Sequence, residues 1–484
     1  MQVLKGLEPQ VFFDYFEEIS AIPRGSYHEK AISDHLKKFA EDRGMTTYQD
    51  EYYNLLIKKP GSPGYENVRP VLFHGHMDMV LDKEEWVEQD MLTEGIRLVV
   101  DGDYIRADGT TLGADNGVGV AFMMCVLGAN DLPHPPIECV ISVQEEVGKR
   151  GGIVFDPKNI TGKRLMDFNW HKPDTIFAGC AGDISAYYKL PVAYEKPADD
   201  MSFFNLSITG GAGGHSEFDI HLERANVLVT YGRLVNRIAL EREVHFVELN
   251  GGINRYVIPG NMESLIGIKK ADAAQVKAII DEVAEELANE YKIADPNLKV
   301  SMTAAETPEK MITYADTKKI CKSLHLLPCG VKSMSLEIPG LVESSNTVAI
   351  IETSEDVVSI LSTIPSAVTS RKYDILQEIR DLAELTGATV ETFADCPEWP
   401  FMPDSKLLAT AKKAFKDLYG YEPNVEVSHS SLELGLFHKK IPGLEMISLG
   451  PKAYDVHTTK ERLDWTTVQM VWNHIKEILK NLND

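Results

Sequence analysis

The sequence predicts an α/β protein in which a three-layer domain is interrupted by an inserted α+β domain. Three observations carry that expectation. Apolar runs such as Val71 to Phe73 and Ile137 to Val143 stop abruptly at glycine or charged residues, as buried parallel strands do. Stretches of helical spacing alternate with those runs up to about residue 190. From Pro191 to Cys396 the pattern changes to long amphipathic helices and separate strand-like segments, and after Pro397 and Pro400 the first pattern returns. The expected division is 1–190 and 397–484 for the two parts of the three-layer domain, with 191–396 as the insert.

In chain order, residues 9–20 and 27–43 have helical spacing, broken by Pro23, Gly25 and Ser26. Strands are expected near 52–58 and 69–74, a helix after Asp115, and further strands at 137–143 and near 163–169. Within the insert, strands are expected at 203–209, 244–249, 263–268 and 298–303, with helices at 221–239 and 273–291. A second set follows: a helix at 309–325, strands near 346–351 and 356–363, a helix at 371–386 and a strand at 388–394. The returning segment supplies a helix at 404–418, strands around 424–428 and 444–448, and a final helix at 465–482.

Composition narrows the class. A net charge of −24 over 484 residues and a pI near 5.0 argue against nucleic acid or an anionic membrane as partner, and for a solvated surface. Six scattered cysteines suit a reducing compartment. The N-terminal MQVLKGLEPQVFFDYFEEIS lacks the basic start and apolar core of a signal peptide. No apolar run approaches the roughly eighteen residues that span a bilayer. A cytoplasmic protein is expected.

The chemistry gathers at strand ends. His76 and Asp78 follow an apolar run and lie two residues apart, so an extended chain points both to one face. That spacing suits a metal ligand with its orienting carboxylate, or a hydrogen-bonded histidine at a strand end. Asp115, in TTLGADNGVGV, stands just before or at a helix start, where it is an N-cap or a ligand. Glu145 and Glu146 are adjacent carboxylates after the apolar run Ile137 to Val143, a repulsion that a dication relieves. His457 follows a third apolar strand and a Gly-Pro turn. Carboxylates and imidazoles without paired cysteines suit zinc, manganese or cobalt in a catalytic site.

The segments HGHMDMV, TLGADNGVG, QEEVG, FAGCAGDIS, GGAGGHSEFDIHLERAN, MSLEIPGLVESSN, HSSLELGLF and EMISLGP with a following histidine resemble the bacterial aminoacyl-histidine dipeptidases. These belong to the co-catalytic zinc exopeptidases that include carnosinase and carboxypeptidase G. The likeness runs from about residue 7 to residue 465. It implies two divalent ions, with His76 on the first, Asp115 bridging, and Glu146 and His457 on the second. It implies that Asp78 orients His76 and that Glu145 is the general base for the attacking water. The insert then corresponds to a lid domain, and His215 to the residue that stabilises the oxyanion of the intermediate. Asn226 matches a family asparagine. Glu433 matches a glutamate suited to the substrate's free amino group, and Arg371 is a candidate for the terminal carboxylate. A short peptide, an Xaa-His dipeptide such as carnosine, is the implied substrate, and homodimers are common among lid-bearing relatives.

The chain departs from the family at several positions. Where the family has a further aspartate on the first metal, this sequence has Asn169, flanked at two-residue steps by Asp167 and His171. Asn169 is a poorer ligand than a carboxylate, and Asp167 or His171 could complete the first metal site in its place only if the backbone shifts, so that site is expected to be weakened or rearranged. Glu217 follows the GGHS unit in place of glycine, and Tyr256 to Met262 reads YVIPGNM. Two other readings stand beside the metallo-dipeptidase: a binding protein that keeps one metal without turnover, and an amidohydrolase acting on an acylated amino acid.

Overall fold

Val71, Leu72 and Phe73 are fully buried because their strand, Val71–His76, has a partner on each side. Ile137–Ser142 pairs with it in parallel, placing Val71 opposite Ile137 and His76 opposite Ser142. Arg164–Asp167 pairs along the other side, also in parallel, with His74 opposite Asp167. Glu445–Ser448 continues the parallel run, Ser448 lying opposite Asp167. Leu55–Lys59 and then Thr46–Gln49 extend the opposite edge in antiparallel pairing. Central strands buried on both faces need no polar alternation, which is why they read as continuous apolar runs.

The computed structural model describes residues 2–483. They form two compact units. The first runs up to Gly179 and takes in Phe401–Val427 and the chain from Glu433 onward; the second comprises Cys180–Pro400 with Ser428–Leu432.

In the first unit, successive residues of the central strand serve opposite layers. Phe73 meets Phe168 edge-on at 5.1 Å, and Phe122 of the helix Ala114–Gly128 meets Phe168 at 5.9 Å, Phe12 at 4.6 Å and Trp472 at 6.3 Å. These contacts tie the helices Gln10–Ser20 and Val468–Asn481 to that layer. Burying one such aromatic ring contributes roughly 1.5–3 kcal/mol. His74, one residue further on, meets Phe437 of the helix Leu434–Lys440 at 4.6 Å, and Phe437 meets Phe155 at 5.6 Å. Helices thus cover both faces of a mixed sheet, the α/β arrangement the sequence predicts.

The second unit is an antiparallel sheet with helices. Its strands run in the order Cys180 onward in Thr175–Pro191, then Val357–Ser366, Val342–Thr353, Val244–Gly251, Met262–Lys269, Met201–Thr209 and Lys299–Ala305. Tyr231, Leu234 and Ile238 of the helix Val227–Glu241 share a core with Phe246, Ile266 and Leu206. That helix begins later than its apolar spacing suggests, because Asn226 caps it: the side chain accepts from the Leu228 and Val229 N–H groups. The helix Tyr314–Leu326 likewise starts after Thr313, which caps it through the Asp316 N–H, while Met311–Ile312 pairs with Tyr194–Glu195 as a short strand.

Candidate metal centre

Parallel strands in register deliver their C-terminal ends to one edge, where open α/β sheets bind ligands. His76 ends its strand; Ser142, opposite it, precedes Glu145 and Glu146; Asp167 leads to Asn169 and His171; Ser448 leads to the segment carrying His457.

His76 is held from behind. Its Nδ1 lies 3.1 Å from the Asp78 main-chain oxygen and 3.4 Å from Asp78 Oδ1. Its Nε2 faces Asp115 Oδ1 at 3.0 Å. Burial opposes charge on the ring, but Asp115 and Asp78 outweigh it and hold the imidazole well above its usual range. Asp78 is fully buried and also accepts from the Glu145 N–H at 3.1 Å, the Glu146 N–H at 3.3 Å and Ser26 Oγ at 2.8 Å. One carboxylate therefore sets both the histidine and the turn that carries the two glutamates. Burial would raise Asp78, and the His76 contact brings it below the ordinary carboxylate range.

Asp115 is fixed by its loop. Gly113 has φ +69°, and a Cβ there would fall 2.5 Å from the Arg24 guanidinium, so glycine is required on both counts. Arg24 Nη2 donates to the Gly113 oxygen at 2.5 Å, and Nη1 to the Met77 oxygen at 3.2 Å. Glu461 accepts the N–H groups of Leu112 at 2.8 Å, Gly113 at 2.9 Å and Asp115 at 3.3 Å. Asp115 and Asn116 keep non-helical backbone angles, and the Asp115 carboxylate is spent on imidazoles. Its Oδ1 meets His76, while Oδ2 lies 3.3 Å from His457 Nε2 and 3.9 Å from His171 Nε2. Burial resists ionisation here, yet the three rings hold the carboxyl well below its usual range.

His457 Nε2 also stands 3.0 Å from Glu146 Oε2, and these two carboxylates push the half-exposed ring up to about 10. Burial, opposed by the His76 charge, pushes Glu145 up to about 7. A carboxyl tuned to that range can both take and return a proton near neutral pH.

Ligand atoms of His76, Asp115 and Glu146 all lie within 4.8 Å of one another. Donors on one ion at 2.0–2.2 Å lie up to roughly 4.4 Å apart, so separations of this size suit one ion after a small adjustment or two adjacent ions that share Asp115. Glu146 Oε1 is buried and has no hydrogen-bond partner among the described residues, a costly state for an ionised oxygen that a cation relieves. The donor set of hard oxygens and imidazoles fits a divalent ion.

The neighbouring candidates are arranged differently. Asn116 Nδ2 donates to the Phe168 oxygen at 2.8 Å and to Asn169 Oδ1 at 3.0 Å. The Asn169 amide is thereby turned, with its Nδ2 3.4 Å from His76 Nε2. Asp167 and Glu433 close on His74, a residue the motif reading passed over: His74 Nδ1 meets Asp167 Oδ1 at 2.8 Å, and Nε2 meets Glu433 Oε2 at 3.0 Å. Asp167 Oδ2 accepts from the Ser448 hydroxyl and, at 3.0 Å, the Asn169 N–H. Glu433 accepts from Ser142 Oγ at 2.7 Å and the Gly152 N–H at 2.6 Å. Burial opposes the charge on His74, but its two carboxylates prevail and raise it to about 9. The visible signal was a second histidine in HGH, on the same face of a buried strand as His76. Arg24 and Glu461 carried no such local signal.

In the second unit, His215 Nδ1 accepts from the Glu217 N–H at 3.1 Å and the Phe218 N–H at 3.4 Å, and burial lowers the ring's proton affinity. Asn226, besides capping its helix, donates to the Val348 oxygen at 2.7 Å. Arg371 Nε pairs with Glu343 Oε1 at 2.9 Å and is half-exposed.

A sheet edge that collects imidazoles and carboxylates around an unsatisfied oxygen has the donor set of a divalent-metal centre on an α/β fold. The profile of Peptidase family M20/M25/M40 matches residues 72–481, and the chain belongs to that family. It is a hydrolase of the metallopeptidase class. The cytosol non-specific dipeptidase of Escherichia coli (strain K12) is 29% identical over 482 residues, covering 100% of this chain and 99% of its own length. The aminoacylhistidine dipeptidase structure from Vibrio alginolyticus superposes with a TM-score of 0.93 at 30% identity, over 99% of this chain and 97% of that one. The Bacillus cereus aminopeptidase PepT, at 16% identity and a TM-score of 0.58 over 99% of this chain and 100% of its own, shares the fold.

Proposed function

We propose that this chain is a dipeptidase that cleaves the amide bond of short peptides, Xaa-His dipeptides among them, with Glu145 as general base. The observation that carries the reading is the convergence of His76, Asp115 and Glu146 donor atoms within 4.8 Å, with the unsatisfied Glu146 Oε1 among them and Glu145 adjacent in the chain. His76, Asp115, Glu146 and His457 would hold divalent metal, which supplies Lewis acidity toward the scissile carbonyl and acidifies water. Glu145 takes the proton of the attacking water as it adds to the carbonyl and hands it to the departing amine, which leaves neutral. Asp78 keeps His76 in the tautomer with its proton on Nδ1.

His215 is proposed as the donor to the carbonyl oxygen as charge develops there. Its Nδ1 already accepts backbone N–H groups, so the neutral ring carries its proton on Nε2 and has one bond left to give. Arg371 is proposed for the substrate carboxylate. By the same family likeness the inserted segment is proposed as a lid and the protein as a homodimer, which sizing chromatography tests. A cytoplasmic location is proposed on the name of the Escherichia coli relative and on the cysteines, among which no disulfide forms. No helix among the described residues is long and apolar enough to cross a membrane.

The test is hydrolysis of a panel of Xaa-His and other dipeptides, each with and without a blocked amino group, after chelation and after return of zinc, manganese or cobalt. Turnover that disappears with chelator, returns with metal and requires the free amine is expected. Turnover of the blocked compounds instead selects the amidohydrolase, and no turnover with bound metal selects a binding protein.

A further inference from the structure

We propose that His171 is a metal ligand of this centre, sharing an ion with Asp115, Glu146 and His457 on the Oδ2 side of Asp115. The proposal rests on the metallopeptidase reading and adds to it the residue that makes the two sides of the centre unequal.

Asp115 presents its oxygens to different partners. Oδ1 faces His76 at 3.0 Å, whereas Oδ2 faces His457 at 3.3 Å and His171 at 3.9 Å. Glu146 Oε2 is 3.0 Å from His457, so Asp115, Glu146 and His457 already converge. Donor atoms that share one ion at 2.0–2.2 Å stand roughly 3–4 Å apart, the spread of these separations. The His171 side chain is 28% exposed, on the segment that leaves the Arg164–Asp167 strand end. Two carboxylates with two neutral imidazoles balance a divalent charge and meet the preference of zinc for four N and O donors.

The other candidates on that segment are engaged. Asp167 spends both oxygens on His74, the Ser448 hydroxyl and the Asn169 N–H. Asn169 has its oxygen on Asn116 Nδ2, and Asn116 is itself oriented by the Phe168 carbonyl, which can only accept. The group facing His76 is therefore an amide NH2, which has neither charge nor a lone pair to offer. One side of Asp115 is well supplied with ligands and the other is poor.

Zinc titration of the metal-free full chain against a competing chelator tests this directly. Two separate affinities are expected. His171→Ala should weaken the tighter one by more than a hundredfold, beyond the roughly ten- to hundredfold lost when a group merely orients a ligand. His171→Gln, close in size, serves as a second variant, and circular dichroism reports folding. With one equivalent of cobalt(II), the hyperfine-shifted imidazole signals should come from two rings in the native chain and one in either variant. Asn169→Asp should tighten the weaker affinity. An unchanged first affinity with an unchanged count of shifted rings in the His171 variants overturns the proposal. Failure of the native chain to bind any divalent ion overturns the metallopeptidase reading instead.

Discussion

His74 and His76 lie two residues apart on one strand, on the same face, each between two carboxylates, and the two groups are built to opposite ends. Around His74 each oxygen of the two carboxylates meets a hydroxyl, a backbone N–H or the ring, and His74, Asp167 and Glu433 are all almost wholly enclosed. Around His76 the same chemistry is left incomplete: Glu146 Oε1 has no hydrogen-bond partner among the described residues and His457 is half-exposed. A buried imidazole between carboxylates is thus no sign of function by itself. The open side and the unsatisfied oxygen distinguish the centre from the clamp.

The sharpest way to break this comparison is at the group next to the open side. Glu145→Gln is expected to lower kcat by about 10²–10⁴ while metal content stays unchanged, read by steady-state kinetics and elemental analysis. An equal loss of metal would make Glu145 a ligand rather than a base.

Next in size is the exchange of roles between the two histidines. His74→Gln leaves two buried carboxylates without their cation and should cost about 3–5 kcal/mol in urea unfolding, with metal affinity little altered. His76→Gln should instead weaken metal binding strongly, whatever its effect on stability. If His74→Gln abolishes metal binding in a protein that stays folded, the clamp belongs to the centre.

The pH dependence separates the clamp further. The folded-state pKa of His74, about 9, lies above the unfolded value near 6.5, so its contribution is fully present below pH 6.5 and is lost as pH rises through about 9. The stability gap between the native chain and His74→Gln should shrink across that window in paired denaturation curves. A gap that is constant or widens would show that the ring is neutral in the folded protein.

The smallest expected effect concerns support at a distance. Glu461→Gln replaces one acceptor in the set that pins the Asp115 loop and should weaken metal binding by about tenfold, measured by chelator competition. No change would mean that Arg24 and Gly113 suffice to hold the loop.

The sequence determined the α/β alternation and the residues at strand ends. Periodicity and apolar runs are local: His76, Asp78, Glu145 and Glu146 each follow such a run within a few positions, and Asp115 stands just before one. Only the tertiary structure decided which charges meet. His74 finds Asp167 across 93 residues and Glu433 across 359, and Glu461 reaches Leu112 across 349. The choice among Asp167, Asn169 and His171 was equally hidden, since all three stand on one short segment at two-residue steps. It turns on Asn116 and Ser448, which belong to other elements and become partners only once parallel strands in register bring their ends together. Hydrogen bonds between distant segments leave no periodicity in the chain, so the fold that creates them is the first place they can be read.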